Sequence, residues 1–238
     1  MSFGENLQFL RKMSNKMTQE ELAEKMGVSR QTISKWELNL VYPEMSKMIE
    51  LCDLFSCSID QLVREDMNIC DEAFSEISMK EVKEFNYVCY AIISRDPEND
   101  AITHVTQLAN ELKITNPDII GWDFPFISQE QINVFHMHGY TAALILDEET
   151  LQNHTEMEVI NQKTQKYITL TIKQPFRAPF QLIPNAFKVL QTHMLVNGLK
   201  QKQDKNVINN FEKTYELDGV EYMDIFIAVE QLNPKMNV

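Results

Sequence analysis

Thr18–Glu37 reads TQEELAEKMGVSRQTISKWE, two short helical runs with a stop between them. Thr18 opens Thr-Gln-Glu-Glu, where the hydroxyl can accept from an amide one turn on and Glu21 can reach back, a capping box that starts a helix over Glu20–Met26. Gly27 suits the left-handed backbone that ends a helix, and Ser29 caps a second run, Arg30–Glu37, after a turn of about three residues. Ala23 keeps the two helices close, while Leu22, Val28 and Ile33 supply the apolar contacts between them. Turned inward, those positions leave Ser29, Arg30, Gln31, Ser34 and Lys35 on the outer face of the second run. Its donors and acceptors suit base edges and phosphates.

Working outward, Leu7, Leu10 and Met13 form one face of a helix that precedes this pair. Beyond it, Met48, Ile49, Leu51, Cys52 and Phe55 make an amphipathic helix over Ser46–Phe55. Ser58 then caps a fifth helix that ends near Arg64. Residues 1–64 therefore form an all-α five-helix domain, and the acidic, weakly patterned stretch 65–78 reads as a linker.

With Pro43, Ile49, Leu51, Leu54, Phe55 and SIDQLV following, this stretch closely resembles the Cro/phage-repressor (XRE-like) helix-turn-helix family from about residue 6 to residue 64. The family has a glycine where Asn39 stands, and Asn is the next residue most tolerant of positive φ. The resemblance implies that Gln19 and Asn39 touch phosphates while Arg30, Gln31 and Ser34 face the major groove. The DNA-contacting set is Gln19, Ser29, Arg30, Gln31, Thr32, Ser34, Lys35 and Asn39. The partner implied is a double-stranded DNA operator, read by a homodimer because one head covers only a half-site.

Past the linker the periodicity becomes mixed. Glu81–Ile93 reads as a strand, Ala101–Leu112 as a helix and Ile132–Leu146 as a strand. Met157–Ile172, Leu182–Asn197, Phe211–Tyr215 and Tyr222–Val229 then give strand, helix, short extended piece and strand. The expectation over 79–238 is an α+β domain of two pseudo-symmetric strand-helix-strand-strand repeats, with a groove where the halves meet. Tyr167–Ile172, Gln174-Pro-Phe, Asn197-Gly and Asn210-Phe-Glu-Lys-Thr-Tyr resemble a GyrI-like effector-binding domain, with Gln174 where the family has a glycine. That likeness implies a small-molecule pocket, often for aromatic or cationic compounds, with Glu212 as the acidic partner and Tyr215 beside it. Trp122, Phe126, Tyr140 and Phe176 complete the ligand-binding set. A flat cation over an aromatic face gains about 0.5–2 kcal/mol per ring. A GyrI-like hydrolase, or a module that only dimerises or binds protein, stands as the alternative.

Of the net charge of −13, residues 1–64 hold eight Lys/Arg against nine Asp/Glu, so the acidity belongs to the second part. Bulk attraction to nucleic acid is excluded, since phosphate affinity comes from Lys and Arg that displace counterions. Hydrophobic residues at 44% and charged residues at 24% are ordinary globular usage. No apolar run approaches the roughly 20 residues of a membrane span. With no such run and no signal-peptide apolar region around Glu5 and Arg11, the chain is expected in the cytoplasm, and Cys52, Cys57, Cys70 and Cys89, which form no CxxC pair, read as reduced thiols. His136 and His138 share a strand face without a third ligand, so no metal is expected; with no nucleophile elbow, metal triad or phosphate loop in the sequence, no catalytic residue and no cofactor are expected either.

Overall fold

A computed structural model describes residues 2–124, 127–154 and 156–231. In chain order the helices α1 (Phe3–Met13), α2 (Gln19–Met26), α3 (Arg30–Glu37), α4 (Met45–Phe55) and α5 (Ile59–Val63) come first. They are followed by β1 (Ser78–Val82), β2 (Phe85–Ser94), α6 (Pro97–Glu111), β3 (Asp118–Asp123), α7 (Gln129–Asn133), β4 (His138–Leu146) and α8 (Glu148–Asn153). The chain continues through β5 (Ile160–Gln162), β6 (Gln165–Lys173), α9 (Pro179–Val196), β7 (Leu199–Gln201), β8 (Asn210–Leu217) and β9 (Val220–Gln231). Two compact units result, one holding the chain through Phe74 together with Ala178–Lys200, the other Ser75–Arg177 and Gln201–Val229.

The first unit closes around Leu7, Leu10, Leu22, Ile33, Leu51 and Leu62, all fully buried. Each is worth about 1.5–3 kcal/mol of burial. Local chemistry fixes where its helices begin: Thr18, Ser29 and Ser58 each accept an amide one turn on, and Thr18 and Ser58 complete capping boxes. Gly27 ends α2 at φ 63°, in the left-handed region. Asn39 takes φ 57° after α3, so the turn that the family closes with glycine is kept by asparagine. The helix α9, read in the sequence as part of the α+β half, packs on α1 and α4, and Asn197 Nδ2 donates to Met13 O at 2.9 Å.

The second unit is an antiparallel sheet in the order β1-β6-β9-β8-β3-β4-β2-β5. In chain order this unit runs β1-β2-α6-β3-α7-β4-α8-β5-β6 and, after α9 of the first unit and β7, closes with β8 and β9. On one face, α6 lays Ala101, Val105 and Ala109 against Val88, Ala142 and Leu144, small side chains that allow close approach. On the other, Phe211 and Phe226 stack at 4.5 Å and Tyr167 meets Phe211 edge-on at 5.2 Å. The buried Tyr167 hydroxyl donates to Ile208 O at 2.8 Å and accepts from Gln162 Nε2.

Several strands differ from the sequence reading. Glu81–Ile93 is two strands, β1 and β2, because the chain turns at residues 83–84. Met157–Ile172 likewise divides into β5 and β6. Ile132–Leu146 begins as the helix α7, started by a capping box at Ser128 and Gln131, and becomes strand only from His138. The sequence pattern marks no strand at Asp118–Asp123, yet β3 lies there between β8 and β4.

Candidate functional site

The helix α3 buries Ile33, Trp36 and Glu37 and leaves Ser29, Arg30, Gln31 and Lys35 exposed, with Thr32 and Ser34 half-buried. Ser29 Oγ accepts from Thr32 N at 3.2 Å and its hydroxyl pairs with the Thr32 hydroxyl, so these two are spent on the helix start. Arg30, Gln31 and Lys35 are exposed, and among the described residues no side-chain hydrogen bond or ion pair fixes them. Gln19 differs: its Nε2 donates to Glu37 Oε2 at 2.8 Å. Asn39 accepts from Gly4 N at 2.8 Å and donates to Ser2 Oγ at 2.8 Å, clasping the start of α1.

Behind this surface lies an ion pair that the sequence reading missed. Arg11 Nε and NH2 donate to Glu37 Oε1 and Oε2 at 2.6 and 3.1 Å, and NH1 donates to Met17 O at 2.5 Å. The pair joins α1 to α3 and holds Gln19 at the start of α2. A signal was available, since Arg11 falls one turn after Leu7 on the buried stripe of α1. Asn6, fully buried, donates to Gln61 O, Leu62 O and Glu65 O and accepts from Met67 N, which ties α1 to α5.

In the second unit a cavity of about 590 Å³ opens over β3, β4 and β8 under α6. At its floor the Tyr140 hydroxyl donates to Glu212 Oε1 at 2.7 Å. Gly121 lies opposite Glu212 in the register, and a methyl group there would run into the Tyr140 hydroxyl and ring. Glycine is therefore required by the close crossing of Tyr140. Burial pushes the Glu212 carboxyl up to about 7; the Tyr140 hydrogen bond opposes this, and Glu98 and Asp123 add to the rise. Burial, then the Glu212 charge, drives the Tyr140 phenol far upward, so it stays a proton donor.

Of the ligand-binding set, the structure brings Tyr140, Glu212 and Tyr215 to the cavity. The Tyr215 hydroxyl is directed to Asp224 Oδ1 at 3.3 Å, and its ring stacks with Tyr222. Trp122 is not in the lining. Strand alternation turns it to the face opposite Gly121, where it meets Tyr87 edge-on at 6.2 Å. Phe176 is 43% exposed on a 3-10 turn after β6, also outside the lining, and Phe126 lies outside the described residues. Glu98 and Ile102 of α6 line the cavity and were not anticipated, because helix residues that face a pocket look like any amphipathic stripe.

Among the described residues no three His, Cys, Asp or Glu side chains converge as a metal site would need, and no helix is long and apolar enough to cross a membrane.

Comparison with known proteins finds the helix-turn-helix family over residues 7–62. The HTH-type transcriptional activator BcrR of Enterococcus faecalis is 39% identical over 94 residues, 39% of this chain and 44% of that protein. The uncharacterized HTH-type transcriptional regulator YobD of Bacillus subtilis is 30% identical over 83 residues, 35% of this chain and 70% of that protein. The chain thus spans less than half of the length of BcrR and about two thirds of YobD. Among solved structures, EcmrR in a DNA complex aligns over 89% of this chain and 98% of its own at 11% identity and a TM-score of 0.46. SAV2435 bound to tetraphenylphosphonium aligns over 66% and 94% at 14% identity and a TM-score of 0.41. With the capped turn in place and a relative matched over most of its length, this chain belongs to the family of HTH-type transcriptional regulators.

Proposed function

We propose that the chain is a sequence-specific regulator that reads duplex DNA with α3 and responds to a small aromatic or cationic effector held in the Glu212–Tyr140 cavity. Residues 1–64 serve as the DNA-binding domain, 65–78 as linker and 79–238 as the GyrI-like effector-binding part. It acts in the cytoplasm as a homodimer, without catalysis, cofactor or metal. The observation that carries the DNA reading is the outward polar face of α3, where Arg30 and Gln31 stand exposed beyond a firmly capped start. A guanidinium is the usual bidentate partner of guanine and a side-chain amide that of adenine, each worth about 1–3 kcal/mol of discrimination. Gln19 and Asn39, tied by their side chains within the head, serve as fixed points that set its docking on phosphates, with the helix amides at Gln19 adding to the anion site.

The effector reading rests on the cavity, which pairs an apolar wall at Ile102 and the Tyr140 ring with a carboxyl at its base. An effector alters DNA affinity only as far as it binds the two states of the dimer differently. An unbiased selection of duplexes, followed by binding of Arg30→Ala and Gln31→Ala, tests the assignment. Each variant should relax base preference by about 1–3 kcal/mol at one operator position. Unchanged operator choice in both would remove α3 as the reading helix.

A further inference from the structure

We propose that the empty cavity keeps a proton among its carboxyl groups and gives it up in exchange for the positive charge of the effector. The inference rests on the reading of this cavity as the effector site and adds how the site chooses its ligand. Three carboxyl groups arrive from separate elements. Glu212, on β8 opposite Gly121, and Glu98, in the first turn of α6, line the cavity, while Asp123, on β3 opposite Tyr140, stands exposed outside the lining and adds its charge from there. Register places Glu212, Tyr140 and Asp123 on one face of the sheet.

Among the described residues none of the three meets a Lys or Arg. The nearby ammonium of Lys213 is held by Asp118 at 2.7 Å, at the edge of the cavity. His138, at the start of β4, bears on Asp123, and Asp96 bears on Glu98. The three carboxyl groups do not converge closely enough to chelate an ion. A carboxylate held in a partly desolvated cavity near other negative charges is relieved most simply by retaining a proton, and Glu212, the carboxyl at the cavity floor beside Tyr140, is where it is kept. Burial raises each of the three from its ordinary value, and each of Glu98 and Glu212 is raised further by Asp123.

A cation that enters brings the compensating charge itself, so the proton leaves to solvent: protonated pocket plus cation gives cation-loaded pocket plus a hydrogen ion. An uncharged molecule of the same shape releases nothing and must be accommodated beside the protonated carboxyl. The device lets the pocket stand empty without a naked buried charge and still favour cations.

The test uses the full chain and tetraphenylphosphonium, a permanent cation with no proton of its own, with triphenylphosphine oxide as the uncharged comparison. Calorimetric titrations at each pH in two buffers of different ionisation heat that both titrate there, MES and Bis-Tris below pH 7 and phosphate and Tris above, count the protons released. Between pH 5.5 and 9 the cation should bind with release approaching one proton at the acid end and falling to none at the alkaline end. Its affinity should rise by up to about tenfold per pH unit below neutrality and level off above. The phosphine oxide should show no release. Glu212→Gln should flatten the pH dependence of any residual cation binding. Glu98→Gln should shift the release to lower pH, and this readout holds if the Glu212 variant folds poorly. Failure of the cation to bind at any pH would remove the effector reading itself, and the exchange with it. Binding with equal heats in both buffers and a flat pH profile would leave the effector reading standing and overturn the exchange. Full proton release by both folded variants would also overturn it.

Discussion

Replacing Arg11 with Met keeps the length of the side chain while removing its charge and its donors. Glu37 would then lie 2% exposed with Gln19 left, among the described residues, as its side-chain partner, in place of the fork that Arg11 presents from a site 9% exposed. Met17 O would lose its donor as well. Removal of one partner from a buried pair costs about 3–5 kcal/mol, because the remaining charge stays desolvated. Against a typical total of about 5–15 kcal/mol, that is enough to unfold much of the head on warming. The double variant Arg11→Met/Glu37→Leu leaves no orphaned charge and should recover more than half of the loss. Urea unfolding reports this through Trp36, buried in the head, in a Trp122→Phe background that leaves it the sole tryptophan. A single variant within about 1 kcal/mol of its parent, or a double variant no better than the single, would refute the reasoning.

Gly121→Ala should push Tyr140 off Glu212, lowering stability by about 1–3 kcal/mol and abolishing binding of the cation probe; a thermal melt and a titration check both. The carboxyl of Glu212 is raised from 4.5 to about 7 in the fold, so it favours folding while protonated, below its unfolded value, and that contribution is lost as pH rises through about 7. The sheet unit should therefore melt at lower temperature at pH 8 than at pH 5. Glu212→Gln should remove roughly 2 kcal/mol of that difference, a figure reduced from the full shift because the carboxyl is partly exposed.

The reading head was legible because its signals are local. Thr18, Gly27 and Ser29 act within one turn of chain, and the structure places a cap or a left-handed residue at each. The two positions where family glycines are replaced, Asn39 and Gln174, both take positive φ, at 57° and 51°. The backbone demand survives the loss of the residue that satisfies it most easily. The sheet was less legible. The strand β3 spans six residues with Gly121 inside, and a glycine weakens any strand pattern. Its reason for being there, the ring of Tyr140, comes from another strand. The helix α9 was read from Leu182, whereas it starts at Pro179, a residue well suited to a first helical turn. Trp122 shows the limit most plainly: aromatic richness says nothing about which side of a strand a ring occupies, and one position along β3 separates the cavity from the opposite core.

The clasp that Asn39 makes on Ser2 and Gly4 has a practical side for anyone handling the protein. Those first residues sit against the loop that follows α3, and a methyl group on Gly4 would strike the backbone of Glu37. A purification handle fused ahead of Ser2 would emerge beside the surface assigned to DNA and compete with it for space. Affinity measurements are better made with an amino-terminal handle cut away before the operator is added.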